Sequence, residues 1–550
     1  MTFWLKRTKA VFRNAWIEGI LIALAFMIGF AIRGYNLSVL IAAPDELTYA
    51  SRAIHILSAN WSWQAPYMWD QPPLLTYLLA VMIAVSGASL DTMRLLSVFA
   101  GSLSVVIAYY LGKSMYGRIA GSIAAIAVLF DGYDILYSRQ IYIEALATML
   151  ILAALLLFWE GVIKRRSLKI SVIAGFIFGL ALDSKYIALV MAVSLFLFLI
   201  YYMNRFKGGF PLKQSFAFFG SGFLTFLPVL VALGINNVNP FYYDLVYRFQ
   251  LHQSSAVVHS VQSGQLFVKG FTNFVQVFFH VSSSAPFQVF PLLIFDIPVW
   301  TILIICVIAF FVVSFFVRKN LADGLLLILF VMFLAFAFTY PDRRTYFSLY
   351  PSLILLVMVG RIGQLAVRTI REFAKGKSLL PYIGTAILCL IVLGLAFDIV
   401  ATPTIYQNGF GDWDQITPVM NYLSTYHGNN TYVATDLAEI GYYIEANNLN
   451  FSIAFMKQPQ EYYSESPLNQ SLQTPTRGVF PIYWVLSVSS IEKVHPQFVI
   501  LPAIDYKSTT LEFQTFITER YYQPLSTNHI LLFEIRPGNQ TANWNFTGCC

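Results

Sequence analysis

Asp45 and Glu46 stand side by side where a long apolar run ends, and Asp70-Gln71-Pro72-Pro73 stands where another begins. Between them lie Arg52, His55, Trp61, Trp63, Tyr67 and Trp69. A carboxylate can take a proton from an attacking hydroxyl when its pKa is matched to the task. Ionisable groups at membrane depth are expensive and tend to face a cavity or a substrate path. More of them follow at the ends of later apolar runs: Arg94, Asp134, Arg139, Glu144, Asp183, Lys185, Asp342, Arg343 and Arg344. Cations at such a boundary suit an anionic headgroup such as a phosphate. Acid and cations together suit group transfer from a lipid phosphate to an acceptor hydroxyl.

The elements that must position these residues are membrane spans. Of 550 residues, 57% are hydrophobic and 11% charged, with a mean hydropathy of +0.64, whereas soluble domains carry about 25% charged residues. A span needs about 20 apolar residues, and about eleven candidates meet that criterion. They fall near 15–33, 93–112, 119–133, 140–160, 169–183, 186–203, 215–234, 291–317, 322–340, 346–366 and 380–400. The net charge of +7 is spread in short clusters between these runs, as in Lys164-Arg165-Arg166 and Arg318-Lys319. That pattern sets topology and excludes a nucleic-acid groove. It places the N-terminus in the cytoplasm and the loops 34–92, 134–139, 183–185, 235–290 and 341–345 outside, at the plasma membrane. The sequons at Asn36, Asn60, Asn429, Asn450, Asn469, Asn539 and Asn545 all fall on the outer side. Every acid and cation named above as a site candidate then faces one rim.

Residues 1–400 are expected to form the membrane domain, with amphipathic helices at Leu47–Leu57 and Leu74–Val85 along the outer surface. From 401 to 550 the composition changes. The stretch from Pro403 holds 6 Lys/Arg against 12 Asp/Glu, a net of −6 that leaves +13 for the rest. β-like runs at Tyr432–Thr435, Phe498–Leu501 and Ile530–Ile535 alternate with helix-like ones at Ile416–Tyr426, Leu437–Ala446 and Thr510–Arg520. This reads as an extracytoplasmic α/β domain.

Each candidate also has a plainer reading. Asp45 and Glu46 suit the first turn of a helix. Asp70 suits a turn before Pro-Pro, and the aromatic group around it suits an interfacial belt. Arg94, Arg139 and Lys185 could be snorkelling anchors, and Arg343-Arg344 an exposed pair. No histidine spacing suits zinc. Asp45, Glu46 or Asp70 could accept a hard cation, Mg²⁺ or Mn²⁺. The four cysteines show no disulfide or zinc pattern, and Cys549 and Cys550 receive no role.

Taken in order, these residues resemble the membrane glycosyltransferases of the protein O-mannosyltransferase and aminoarabinose-transferase type. The likeness rests on the Asp45-Glu46 pair, Pro72-Pro73-Leu74, Arg94-Leu95, Ser138-Arg139 with Glu144, Gly179-Leu180-Ala181 before Ser184-Lys185-Tyr186, and Arg344-Thr345-Tyr346 with Pro351. It spans about residues 15–366. The resemblance implies a GT-C fold and an inverting transfer from a polyprenyl-phosphate (dolichyl-type) sugar to an acceptor hydroxyl of a protein, glycan or lipid. It makes Asp45 the general base, supported by Glu46. Charge and position at the rim, apart from the resemblance, make Asp70, Arg94, Arg139, Lys185, Arg343 and Arg344 the candidates for substrate and lipid-phosphate contacts, with Arg139 and Lys185 preferred because each sits at the end of a span. The resemblance requires no cofactor. Two departures stand out. Gln71 replaces the lysine that aminoarabinose transferases carry before the proline, and the 235–290 loop is too short for the further domains that eukaryotic-type protein O-mannosyltransferases carry between later spans. Oligosaccharyltransferases are disfavoured, because their Trp-Trp-Asp-Tyr-Gly motif is missing. The alternative from another class, a transporter or flippase, needs broken helices and a polar site near the bilayer midplane.

Overall fold

The computed structural model describes residues 2–37, 44–58, 61, 72–205, 209–235, 293–294, 297–318, 320–339, 349–373, 413–426, 431–435, 440, 444, 449, 451–457, 483–485, 487–502, 510–526 and 530–536. Most of them form a helical bundle: α1 (Thr2–Gly34), α2 (Pro44–Ser58), α3 (Leu74–Ser86), α4 (Leu90–Tyr116), α5 (Arg118–Leu129), α6 (Gly132–Ser138), α7 (Ile143–Phe158), α8 (Leu168–Ser184), α9 (Ala188–Arg205) and α10 (Leu212–Ile235). A two-stranded ribbon, β1 (Leu293–Ile294) with β2 (Ile297–Pro298), precedes α11 (Val299–Val313), α12 (Leu321–Thr339) and α13 (Leu349–Phe373).

Among the described residues, six helices are long and apolar enough to cross a membrane, and several shorter apolar helices accompany them. The protein is an integral multi-pass membrane protein. Nine of the expected spans coincide with helices, that at 291–317 only from Val299 on, and 380–400 lies outside the described residues. One expected span is corrected. The run 119–133 is not a single helix, because α5 stops at Leu129 after 12 residues, about 18 Å of helix. Asp131 then accepts a hydrogen bond from the Asp134 backbone N–H at 2.9 Å and caps the short α6.

Burial follows position in the bundle. The spans of α4, α7 and α13 are two-thirds or more buried, whereas only 11% of the α1 span is buried. Trp16, Leu21, Met27 and Ile28 of α1 are therefore exposed apolar residues, as expected of a lipid-facing helix. The proposed surface helices α2 and α3 pack together, and α3 buries Leu75, Leu79 and Ile83.

Small residues let the helix backbones meet, since apolar surface alone does not drive helices together in lipid. Gly175 and Gly179 of α8 touch the α10 backbone at Phe218 and Gly222 and the side chains of Ser221 and Thr225. A methyl group on Gly175 would overlap Phe218 O and Ser221 Oγ. Gly175→Ala is expected to cost about 2 kcal/mol, the usual scale of overpacking. A thermal melt of the detergent-purified protein checks this, and an unchanged midpoint would refute the contact.

The C-terminal segment forms α14 (Trp413–Ser424), β3 (Thr431–Thr435), β4 (Phe451–Lys457), β5 (Tyr483–Val485), α15 (Val488–Val494), β6 (Phe498–Pro502), α16 (Leu511–Arg520), β7 (Tyr521–Ser526) and β8 (Ile530–Ile535). The sheet order is β5-β4-β3-β6-β8-β7. The first four strands are parallel, and β8 and β7 add antiparallel pairings. Alternation along β6 sends Phe498 and Ile500 to one core with Val419 and Leu423 of α14. Val499 and Leu501 enter the other, with Ile491 of α15 and Phe513 and Ile517 of α16.

His495 follows α15 with φ of 49°. Burial, aided by the Arg520 charge and opposed by Glu492, lowers its pKa below the ordinary 6.5. The unfolded chain therefore binds this proton first as pH falls. The His495 contribution is complete above the ordinary histidine range and is lost progressively on acidification through it. His495→Asn, which tolerates the left-handed backbone, is expected to flatten that acid-side loss. Amide exchange in residues 487–502 from pH 7.5 to 5.5 measures it, and parallel slopes in the two proteins would count against it.

Candidate functional site

Asp45 falls in the first turn of α2. The next residue fixes that turn to the bundle. Glu46 is fully buried and accepts from Arg94 of α4 twice, Nε to Oε1 at 2.7 Å and Nη2 to Oε2 at 2.9 Å. It also accepts from the backbone N–H of Ile141 at 2.9 Å. Arg94 in turn donates to the Leu37 carbonyl at 2.7 Å and approaches Asp91 at 3.6 Å. One buried, bidentate ion pair thus joins the end of α1, the start of α2, α4 and the turn before α7. Both Glu46 oxygens are engaged within the protein, and the Arg94 guanidinium is engaged with them.

Arg139 has a second architectural task. It follows α6 and is 1% exposed. Its Nη1 donates to the carbonyls of Tyr35 at 2.6 Å, Arg33 at 3.1 Å and Ile32 at 3.4 Å, and its Nη2 to Asn36 at 3.4 Å. These are carbonyls at the C-terminal end of α1, where a cation is favoured by the helix dipole. Arg33 returns the arrangement. Its guanidinium donates to Val128 and Leu129 at the end of α5 and pairs with Asp134 of α6. Two arginines therefore cap two helix ends in a reciprocal knot. Arg33 was not among the sequence candidates; an arginine closing an apolar span is readable, but its partner Asp134 lies 101 positions away.

Lys185 sits at the C-terminal end of α8 and is 5% exposed, paired with Glu144 in the first turn of α7. Glu144 Oε2 takes no hydrogen bond from any described residue. Tyr350, in the first turn of α13, is buried within electrostatic reach of Glu144 and of Tyr49 on α2. The Arg52 guanidinium lies 5.9 Å from the Tyr49 ring centre. The described rim candidates thus come from α2, α4, α7, α8 and the turn after α6, with Asp45 next in the chain to the clamped Glu46, and α13 adds Tyr350. Asp70, Arg343 and Arg344 lie outside the described residues. Among the described residues, no group of three His, Cys, Asp or Glu side chains could hold a metal ion.

Comparison with known proteins follows this geometry. Residues 70–233 match the family model for dolichyl-phosphate-mannose-protein mannosyltransferase. No curated protein matches the chain by sequence. The crystal structure of ArnT from Cupriavidus metallidurans bound to undecaprenyl phosphate is similar with a TM-score of 0.59 at 11% identity, over 96% of this chain and 99% of that one. The apo oligosaccharyltransferase of Archaeoglobus fulgidus is similar with a TM-score of 0.58 at 14% identity, over 97% of this chain and 75% of that one. AglB from the same organism, in complex with an inhibitory peptide and a dolichol-phosphate, gives 0.54 at 15% identity over 97% and 75% of the two chains. These likenesses extend over the α/β layer as well as the bundle. The fold of the chain is that of the GT-C membrane glycosyltransferases.

Proposed function

We propose that the protein is an inverting glycosyltransferase that moves a hexosyl or pentosyl group from a polyprenyl-phosphate carrier to an acceptor hydroxyl on the outer face of the membrane. The observation that carries this reading is the Glu46–Arg94–Ile141 clamp. It holds the residue next to Asp45 rigidly at the end of the bundle where Lys185 and Glu144 meet. Known structures of the same fold hold undecaprenyl phosphate or dolichol-phosphate, and a lipid-phosphate donor fits the cations at this rim.

In the proposed step Asp45 accepts the proton of the acceptor hydroxyl. The acceptor oxygen attacks the anomeric carbon as the bond from that carbon to the phosphate oxygen breaks. The donor is a phosphodiester with one negative charge, and the departing polyprenyl phosphate gains a second. A cation beside the phosphate therefore binds the transition state more strongly than the ground state. Lys185 is assigned that role, its hold on Glu144 being exchanged in part for the phosphate. Asp70, Arg343 and Arg344 complete the proposed headgroup contacts. Glu46, Arg94 and Arg139 act as positioning residues, because the protein itself takes up their hydrogen bonds. We further assign residues 1–400 to the membrane domain and 401–550 to an extracytoplasmic domain, with a cytoplasmic N-terminus.

The experiment is release of labelled sugar from a polyprenyl-phosphate donor by the purified protein, with the anomeric configuration of the product determined. Inverted product is expected. A retained configuration, or no release from either a hexosyl or a pentosyl donor, would overturn the reading.

A further inference from the structure

On the α14 side of the C-terminal sheet, a polar cluster stands apart from the transfer site. Tyr522 of the edge strand β7 pairs with Glu534 of β8, and Glu534 pairs with Phe498 of β6. Residues directly opposite across a ladder share a face, so the row runs from the fully buried Phe498 to Tyr522, which is 37% exposed. Tyr422 of α14 covers the row, its ring edge-on to Phe498 at 6.3 Å. Both phenol hydroxyls donate to the same oxygen, Glu534 Oε2. That arrangement fixes the carboxylate from two sides and leaves Oε1 as an acceptor. It also keeps both phenols protonated. The Tyr422 hydroxyl is pushed above its ordinary range chiefly by burial, and that of Tyr522 chiefly by the bond to Glu534.

The edge strand itself departs from regularity at this point. The register shifts between Tyr522 and Leu525, a stretch that includes Pro524. Such bulges re-aim side chains at sheet edges and beside binding sites, and proline discourages addition of another strand. The edge is thus unsuited to pairing with a peptide backbone and presents an aromatic ring with a fixed carboxylate.

We propose that Tyr422, Tyr522 and Glu534 form a docking site for a neutral, hydroxyl-rich saccharide, the acceptor glycan of the transfer reaction. A vicinal hydroxyl pair would donate to Glu534 while the C–H face of the sugar covers the Tyr522 ring. Charge selects against the other ligand classes. Arg536 follows Glu534 by two residues, about 7 Å along the strand, and is held by the carbonyls of Thr518 and Tyr521. Its charge offsets that of Glu534 and reduces the gain for a polycation. The net −6 of the C-terminal stretch opposes a polyanion. The proposal rests on the transferase reading for the identity of its ligand as acceptor, whereas binding itself is measured without turnover.

Saturation-transfer NMR on the full chain in detergent tests it, with neutral hexose oligosaccharides as the probe and an oligolysine peptide as control. Saccharide signals are expected from the parent protein. Loss of a charge-assisted hydrogen bond should weaken binding about tenfold or more in Glu534→Ala, and loss of the stacking ring should do the same in Tyr522→Ala. Tyr522 is exposed on an edge strand, so its variant reads binding even where Glu534→Ala perturbs the domain. Absent saccharide signals, equal signals in the parent and in Tyr522→Ala, or preference for oligolysine would overturn the proposal. Release of sugar from the lipid-linked donor is measured in parallel on the parent protein. Absence of that release in the parent would instead strike the transferase reading.

Discussion

Asp45→Asn is expected to abolish sugar transfer while leaving the protein folded and able to bind the lipid-phosphate donor. A positioned general base contributes roughly a hundredfold to ten-thousandfold to rate, and asparagine keeps the size of the side chain while removing its basicity. The substitution should also leave α2 in place. The clamp that fixes this turn is built from Glu46, Arg94 and the Ile141 backbone N–H, none of which is altered. The measurement is transfer from a labelled polyprenyl-phosphate sugar at saturating donor, together with a melt to show that stability is retained. Transfer within about threefold of the parent would remove Asp45 from the mechanism, since no general-base role is that small.

Arg94→Met is expected to be the most damaging single change outside that base. It strands a carboxylate that is fully buried in the bundle, and breaking a buried ion pair by removing one partner costs about 3 to 5 kcal/mol. It also deletes the donation to the Leu37 carbonyl, so the segment entering α2 loses an anchor. The double variant Glu46→Gln with Arg94→Met separates the two consequences. Removing the stranded charge should restore much of the stability, because replacement of a whole buried pair is often near neutral. Transfer should stay low in the double variant, because the turn carrying Asp45 is no longer held by three groups. A double-mutant cycle on melting and on transfer reads both. Full transfer in the double variant would show that the clamp serves stability alone.

Apolar run length and the alternation of basic clusters are local, one-dimensional properties, and a bilayer enforces both on the chain directly. For that reason the helices of the bundle were legible without coordinates. So was the α/β layer, where β3, β6, β8, α14 and α16 stand close to where the alternation of Tyr432–Thr435, Phe498–Leu501 and Ile530–Ile535 and the periodicity around them put them. Three strands escaped that reading. β5 has 3 residues, too short for alternation to register, β7 is interrupted by Pro524, and β4 is apolar without a clean alternating pattern. The break after Leu129 escaped it for another reason. The apolar pattern runs through Phe130, and past it the Asp131 side chain accepts the Asp134 N–H and starts a new helix.

The arrangement of the charges at this rim was legible only in part. Sequence and topology together determined that Asp45, Glu46, Arg94, Arg139 and Lys185 belong to one end of the molecule, because each sits at the end of an apolar run on the same side. Tertiary structure decided which of them face one another. Glu46 meets Arg94 across 48 positions of chain, Lys185 meets Glu144 across 41, and Arg139 meets the carbonyls at the end of α1 across more than 100. No spacing rule reaches that far. A buried arginine or glutamate must be neutralised by whatever the fold brings within about 3 Å, and that partner is set by helix packing rather than by neighbours in sequence.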